Sequence, residues 1–265
     1  MKTTDNDKEL NYFEEAIINY SMTIEKDTSN LKAYYHRGHA KYKLEDYNGA
    51  IEDYTVAIGI EPKANTYCYR GIAKYKIEDY DGAIDDYTHA IDIDPFYSFA
   101  YTNRGFTKAT LKDYKGAIED YTKVIEIDSL NSTAFSHRGY AKYKTEDHIG
   151  AINDYTSAIS INPQYTFAYL NRGISKKELE DYDGAKEDFT KAIELDPYSA
   201  PLYNLRGNAK MALKDYSSAL EDFDRSLLND PFSPISYKYR ANAKEKLGDK
   251  TGADLDYSTY KEITS

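Results

Sequence analysis

The side chains able to do chemistry in this 265-residue chain are few and unevenly spread. His36 and His39 stand three apart, within one helical turn, and Cys68 falls at a related place further on. Imidazole and thiolate are zinc ligands, so these three are a candidate metal set. No carboxylate is placed as a fourth ligand, and a lone cysteine is usually a small apolar filler. Metal binding therefore ranks behind the readings below, and no cofactor is expected. His89, His137 and His148 fall at unrelated positions, no serine or cysteine comes with a partnered base, and no glycine-rich phosphate loop occurs. An enzyme is not expected.

What recurs is charge. Arginine followed by glycine stands at Arg37, Arg70, Arg104, Arg138, Arg172 and Arg206, and a seventh copy reads Arg240-Ala241. Each arginine is followed one turn later by a lysine: Lys41, Lys74, Lys108, Lys142, Lys176, Lys210 and Lys244. Downstream, an aspartate recurs in the same register: Asp53, Asp86, Asp120, Asp154, Asp188, Asp222 and Asp256. The interval between copies is 33 for the first pair and 34 thereafter. The chain is an array of repeats.

Within a repeat the apolar period is helical. Numbering the glycine of Arg-Gly as position 8, the second copy places Tyr67, Arg70, Gly71 and Lys74 on one stripe. Tyr80, Ala83, Ile84, Tyr87, Ala90 and Ile91 form a second, closed by Pro95. Between the stripes position 16 is always aspartate, from Asp46 to Asp249, a strong helix N-cap. Each unit therefore reads as a helical hairpin. Folded antiparallel, it sets position 7 against 23 and position 11 against 19, which predicts an Arg–Asp ion pair inside every hairpin. The glycine usual at position 19 then reads as clearance for the lysine stem. The segment before the first full unit supplies a control: Thr3, Asp7, Glu15 and Asn19 occupy positions 7, 11, 19 and 23, and the charge set vanishes together.

These residues resemble the tetratricopeptide repeat (TPR), a helix-turn-helix unit of 34 residues. Position 4 is aromatic in all seven units (Tyr34, Tyr67, Tyr101, Phe135, Tyr169, Tyr203, Tyr237), and positions 20 and 24 pair alanine with Tyr or Phe, from Ala50/Tyr54 to Ala253/Tyr257. Arg at position 7 and Lys at 11 replace the leucine and tyrosine common in the family. The resemblance implies an all-α, right-handed superhelical solenoid of stacked antiparallel helix pairs. Residues 31–265 would form seven units of one continuous solenoid, and residues 1–30 a partial N-terminal repeat, with its second helix only, as a possible cap.

A formal charge of −11 argues against nucleic acid as the partner. The polar start, MKTTDNDKEL, has no apolar signal region, and no long apolar run occurs. A soluble, cytoplasmic protein without membrane insertion is expected, and one cysteine excludes an internal disulfide.

By resemblance, positions 2, 5, 6, 9, 12 and 13 line a concave groove. The groove candidates are Tyr35, His39, Tyr69, Ile72, Phe99, Asn103, Phe106, Tyr140, Phe167, Asn171, Ile174, Asn204, Asn208 and Asn242. Rings would bury a peptide's side chains, and carboxamides would bond its backbone. The family's clamp for chaperone C-termini needs Lys at 5 and Asn at 9, and Lys238 with Asn242 is the lone match. The expected function is a non-enzymatic protein-interaction scaffold with a peptide-binding groove. The alternative is a solenoid that forms homo-oligomers through its ends or groove.

Overall fold

Fifteen helices and no strand make up the described residues, 5–265, of the computed structural model, with side chains described from Asn11 on. Thr3 of the control set lies outside them, as does the side chain of Asp7. After α1 (Asp5–Lys26) the helices pair in order. α2 (Leu31–Lys43) pairs with α3 (Tyr47–Ile60), α4 (Ala64–Lys76) with α5 (Tyr80–Ile93), and α6 (Ser98–Thr110) with α7 (Tyr114–Ile127). α8 (Ser132–Lys144) pairs with α9 (His148–Ile161), and α10 (Thr166–Glu178) with α11 (Tyr182–Leu195). α12 (Ala200–Ala212) then pairs with α13 (Tyr216–Asn229), and α14 (Pro234–Leu247) with α15 (Lys250–Thr264).

The chain divides into two compact units, Met1–Ser129 and Leu130–Ser265. In the first, α1 packs on α2, α3 on α4 and α5 on α6, while α4 also touches α2 and α6. In the second, α9 packs on α10, α11 on α12 and α13 on α14, while α10 touches α8 and α14 touches α12. Each unit is a run of α-solenoid, in which a hairpin buries its apolar faces against its sequence neighbours.

The hairpin turn is built from two residues. Glu45 adopts a left-handed φ of 62°, its N–H donating to the Tyr42 carbonyl at 3.0 Å and that of Asp46 to the Lys41 carbonyl at 2.9 Å. These two hydrogen bonds close the C-terminus of α2. The Asp46 carboxylate then accepts the Gly49 N–H at 2.9 Å and opens α3. One aspartate ends one helix and starts the next. The same left-handed residue recurs at Glu78, Lys112, Glu146, Glu180 and Lys214, and at Gly248.

Two glycines per unit are explained by what stands against them. At position 19 the reading of space for the lysine stem is corrected, because a Cβ on Gly49 would lie 2.1 Å from Oδ2 of the capping Asp46. At Gly116 the aspartate is again nearest, with Lys108 Cδ third at 3.0 Å. The position is kept small for the cap. Ser218, the one exception, stands 3.3 Å from its cap Asp215, against 2.9 Å at Gly49. At position 8 a Cβ on Gly71 would meet the Tyr87 ring at 2.7 Å, and one on Gly207 the Phe223 ring at 2.6 Å. The bare backbone lets the position-24 ring lie flat in the core, where Tyr54, Phe189 and Phe223 are fully buried. In the seventh hairpin Ala241 takes that place, and Tyr257 is only half-buried, its hydroxyl donating to Asn242 Oδ1 at 2.6 Å.

Candidate functional site

The arginine of every hairpin pairs with its aspartate. Arg37 Nη2 lies 2.6 Å from Asp53 Oδ1, and the same contact closes at 2.6–2.7 Å between Arg70 and Asp86, Arg104 and Asp120, Arg138 and Asp154, Arg172 and Asp188, Arg206 and Asp222, and Arg240 and Asp256. The second carboxylate oxygen takes the lysine, at 3.0 Å from Lys41 Nζ and 2.8 Å from Lys244 Nζ. Lys41 also donates to the Gly49 carbonyl at 3.3 Å. The unit is thus a triad, in which two cations hold one carboxylate that is itself 2–5% exposed. A carboxylate so buried is tolerable only when its lone pairs are filled. Burial opposes the charge on Asp256, but hydrogen bonds from Arg240 and Lys244 outweigh it and hold the carboxyl below the ordinary range.

Sequence reasoning missed how the triads join successive hairpins. Arg70 Nη1 donates at 3.1 Å to Thr55 Oγ1 of the preceding hairpin, and that hydroxyl donates to its own helix at the Ile51 carbonyl, 2.7 Å away. Thr88 serves Arg104 in the same way, and Thr156 and Thr190 serve Arg172 and Arg206. The signal was available, since position 25 is Ser21, Thr55, Thr88, Thr122, Thr156, Thr190 and then Asp224 at the same period. Each guanidinium also stands about 5.5 Å from the centre of its position-4 ring, as Arg70 does over Tyr67. The arginines therefore belong to the skeleton, and binding surface must be sought elsewhere.

In the first unit the candidates gather on the face made by α2, α4 and α6. Tyr35 and His39 of α2 meet Tyr69 of α4 edge to face, at 5.9 and 5.5 Å between ring centres. Tyr69 in turn lies 6.3 Å from Phe99 of α6, and Tyr75 lies 5.6 Å from Phe106. Tyr54 packs beneath Tyr35 and Tyr69, its hydroxyl buried without a hydrogen-bond partner. Ile72, Tyr75, Lys76, Asn103 and Phe106 line a hollow of about 200 Å³ between α4 and α6. Phe99 and Phe106 remain 40% and 45% exposed, so this floor is apolar, aromatic and open to solvent. Asn103 is less free than expected, because its amide donates to the Phe99 carbonyl at 2.7 Å.

In the second unit the candidates differ among themselves. Phe167 is exposed, Tyr140 lies under the Lys144 ammonium at 5.3 Å, and Ile174 packs against the Phe189 core. The Asn171 amide is spent on the Phe167 carbonyl at 2.8 Å. Asn204 is 7% exposed and donates to Ser236 Oγ at 2.8 Å, tying α12 to α14 at the edge of a hollow. The serines around it, Ser226, Ser233 and Ser236, are hydrogen-bonded to one another and give the short amide a buried polar partner, which a position count does not reveal. Asn208 borders a hollow of about 290 Å³ with Leu205, Ile235 and Tyr239. Asn242 accepts the Tyr257 hydroxyl within its own hairpin.

The metal set does not assemble. Among the described residues no three His, Cys, Asp or Glu side chains converge as ligands. Cys68 is fully buried, and burial pushes its thiol up to about 12, while His36 stacks on Tyr20 at 5.4 Å. His39 is held below its usual range, first by burial and then by Lys43 and His36. Among the described residues no helix is long and apolar enough to cross a membrane.

Hairpins each closed by an internal ion-pair triad and joined by arginine-to-threonine hydrogen bonds, with an aromatic face in the first unit, define an α-helical repeat scaffold. Tetratricopeptide repeat profiles match residues 64–97 and 166–199, and further ones match 31–63, 100–129 and 200–232. These matches span more than half of the chain, which belongs to the tetratricopeptide repeat family and is a protein-interaction scaffold. No curated protein sequence matches it. Among solved structures, MamA superposes with a TM-score of 0.61 at 25% identity, over 63% of this chain and 92% of that one. YrrB, described as a TPR protein with an unusual peptide-binding site, gives 0.62 at 22% identity over 70% and 96%. The C-terminal part of a TPR repeat-containing protein from Cytophaga hutchinsonii gives 0.74 at 21% identity over 86% and 95%.

Proposed function

We propose that this chain is a non-enzymatic adaptor that holds a segment of a partner protein against its first-helix faces. The observation that carries the reading is the ladder Tyr35, Tyr69 and Phe99, with Tyr75 and Phe106 beside it, part-exposed on the first helices of three successive hairpins. Open aromatic surface of this extent marks contact sites, and rings near one another supply the pockets that an extended or helical peptide fills. The likeness to YrrB supports it at the level of fold.

Self-assembly is the second reading, favoured by Tyr198 and Phe232, which stand 84% and 79% exposed on loops between hairpins. One experiment separates the two. The chain and its Phe106→Glu variant are used to capture proteins from source-cell lysate, with folding checked by circular dichroism. A partner retained by the parent chain and lost by the folded variant supports the adaptor. Recovery of the same proteins by both, or only of further copies of the chain, overturns it.

A further inference from the structure

The hairpins sort their charges between helices. In a chain of net charge −11, the first helices α2, α4 and α6 contain no aspartate or glutamate, whereas α5 alone carries Asp81, Asp85, Asp86 and Asp92. The triads use up most of the cations on these first helices, since Arg37, Lys41, Arg70, Lys74, Arg104 and Lys108 are bound to Asp53, Asp86 and Asp120. Lys43 and Lys76 are not used in this way. Both are exposed and have no ion pair among the described residues. Lys76 borders the hollow with Ile72, Tyr75, Asn103 and Phe106, and Lys43 lies close enough to His39 to hold down its basicity. The acids next to them in sequence, Glu45 and Glu78, fall past the helix ends in the turns.

We propose that the α2, α4 and α6 face takes an acidic protein segment with bulky apolar anchors. This rests on the adaptor reading and adds its chemistry. Unpaired lysines at the rim of an apolar floor attract carboxylates without a desolvation cost to the cations, because they stay in water. The floor takes the anchors: the hollow of about 200 Å³ suits a single leucine or phenylalanine side chain. A basic or neutral segment gains nothing from the rim. A nucleic acid also offers anionic and stacking groups, but a polyphosphate strand longer than the face runs onto the acidic second helices, and so few free lysines neutralise few phosphates.

The test selects phage-displayed random dodecapeptides on the intact chain and measures the enriched sequences on three proteins: the parent, Lys43→Glu/Lys76→Glu, and Phe106→Glu. Both lysines are exposed and unpaired but close the last turns of α2 and α4, so the double variant is expected to keep the parent's fold and helix content with a slightly lower melting point. The expected result is enrichment of sequences joining Asp or Glu to Leu, Ile or Phe. Their association should slow about tenfold in the lysine variant and fall with added salt, and they should not bind Phe106→Glu. Neutral or basic sequences that bind the lysine variant as well as the parent overturn the charge selectivity and leave the adaptor reading standing. Enrichment of nothing, or of sequences indifferent to Phe106→Glu, overturns both. An oligouridylate that binds the parent more tightly than the peptides and loses its affinity in the lysine variant overturns the choice of a protein ligand.

Discussion

At the residue scale the triad is the unit of stability. Asp120 is 2% exposed and holds Arg104 at 2.7 Å and Lys108 at 2.8 Å. Removing it leaves two cations facing each other over a nearly dry site. Asp120→Ala is therefore expected to cost about 3 kcal/mol or somewhat more. Replacing all three groups together, Arg104→Leu with Lys108→Tyr and Asp120→Ala, should cost much less, because no charge is stranded. Urea melts decide it, and equal losses in the single and triple variants would refute the pairing argument. A second expectation concerns hydroxyls. Tyr54 and Tyr155 are fully buried with unpartnered Oη atoms, while Phe189 and Phe223 fill the same position in other hairpins. Tyr54→Phe and Tyr155→Phe should be neutral or stabilising by up to about 1 kcal/mol, since an orphan buried hydroxyl carries a desolvation cost. A loss above that in thermal melts would mean the hydroxyls have a partner.

At the element scale the hairpin turn is the constrained point. Six of its left-handed residues are Glu or Lys with φ of 61–65°, and the seventh is Gly248 at 86°. A side chain in that region carries a penalty of roughly 1 kcal/mol. Gly248 shows that the turn accepts glycine. Glu78→Gly should therefore stabilise the chain by about 0.5–1 kcal/mol, the gain reduced by the extra freedom of glycine in the unfolded state. A lower urea midpoint in Glu78→Gly would show that the Glu78 side chain does something the turn geometry does not reveal. The opposite holds at position 8, where a side chain is excluded by the ring above it. The recurrence of Arg-Gly is thus two requirements at adjacent residues, a salt bridge and a close approach.

At the scale of the whole molecule, hairpins packed on their sequence neighbours make stability local. Within the second unit α11 buries Ala185, Asp188, Phe189, Ala192 and Ile193, whereas α15 buries only Ala253 and Asp256. Amide hydrogen exchange should accordingly be faster in α15 than in α11, because opening α15 exposes less apolar surface. Equal protection along both helices would show that the unit opens as one body. Charge is sorted within the first unit, with acids on its second helices and unpaired lysines on its first-helix face. That sorting leaves the proposed binding surface where the skeleton has no use for it.

The sequence by itself determined the hairpin, its phase and the Arg–Asp pair, because an exact register repeated along the chain forces equivalent positions into equivalent contacts. The aspartate cap was legible for the same reason. Only the tertiary structure decided what those contacts share. It assigned the lysine to the same carboxylate as the arginine, gave the position-19 glycine to the cap, and set Thr55, Thr88, Thr156 and Thr190 under the next hairpin's arginine. It also turned Asn204 inward and spent the amides of Asn103 and Asn171 on their own helices. These outcomes depend on rotamers and on the fit between hairpins, and periodicity fixes which face a residue occupies but not which of several nearby groups its side chain reaches.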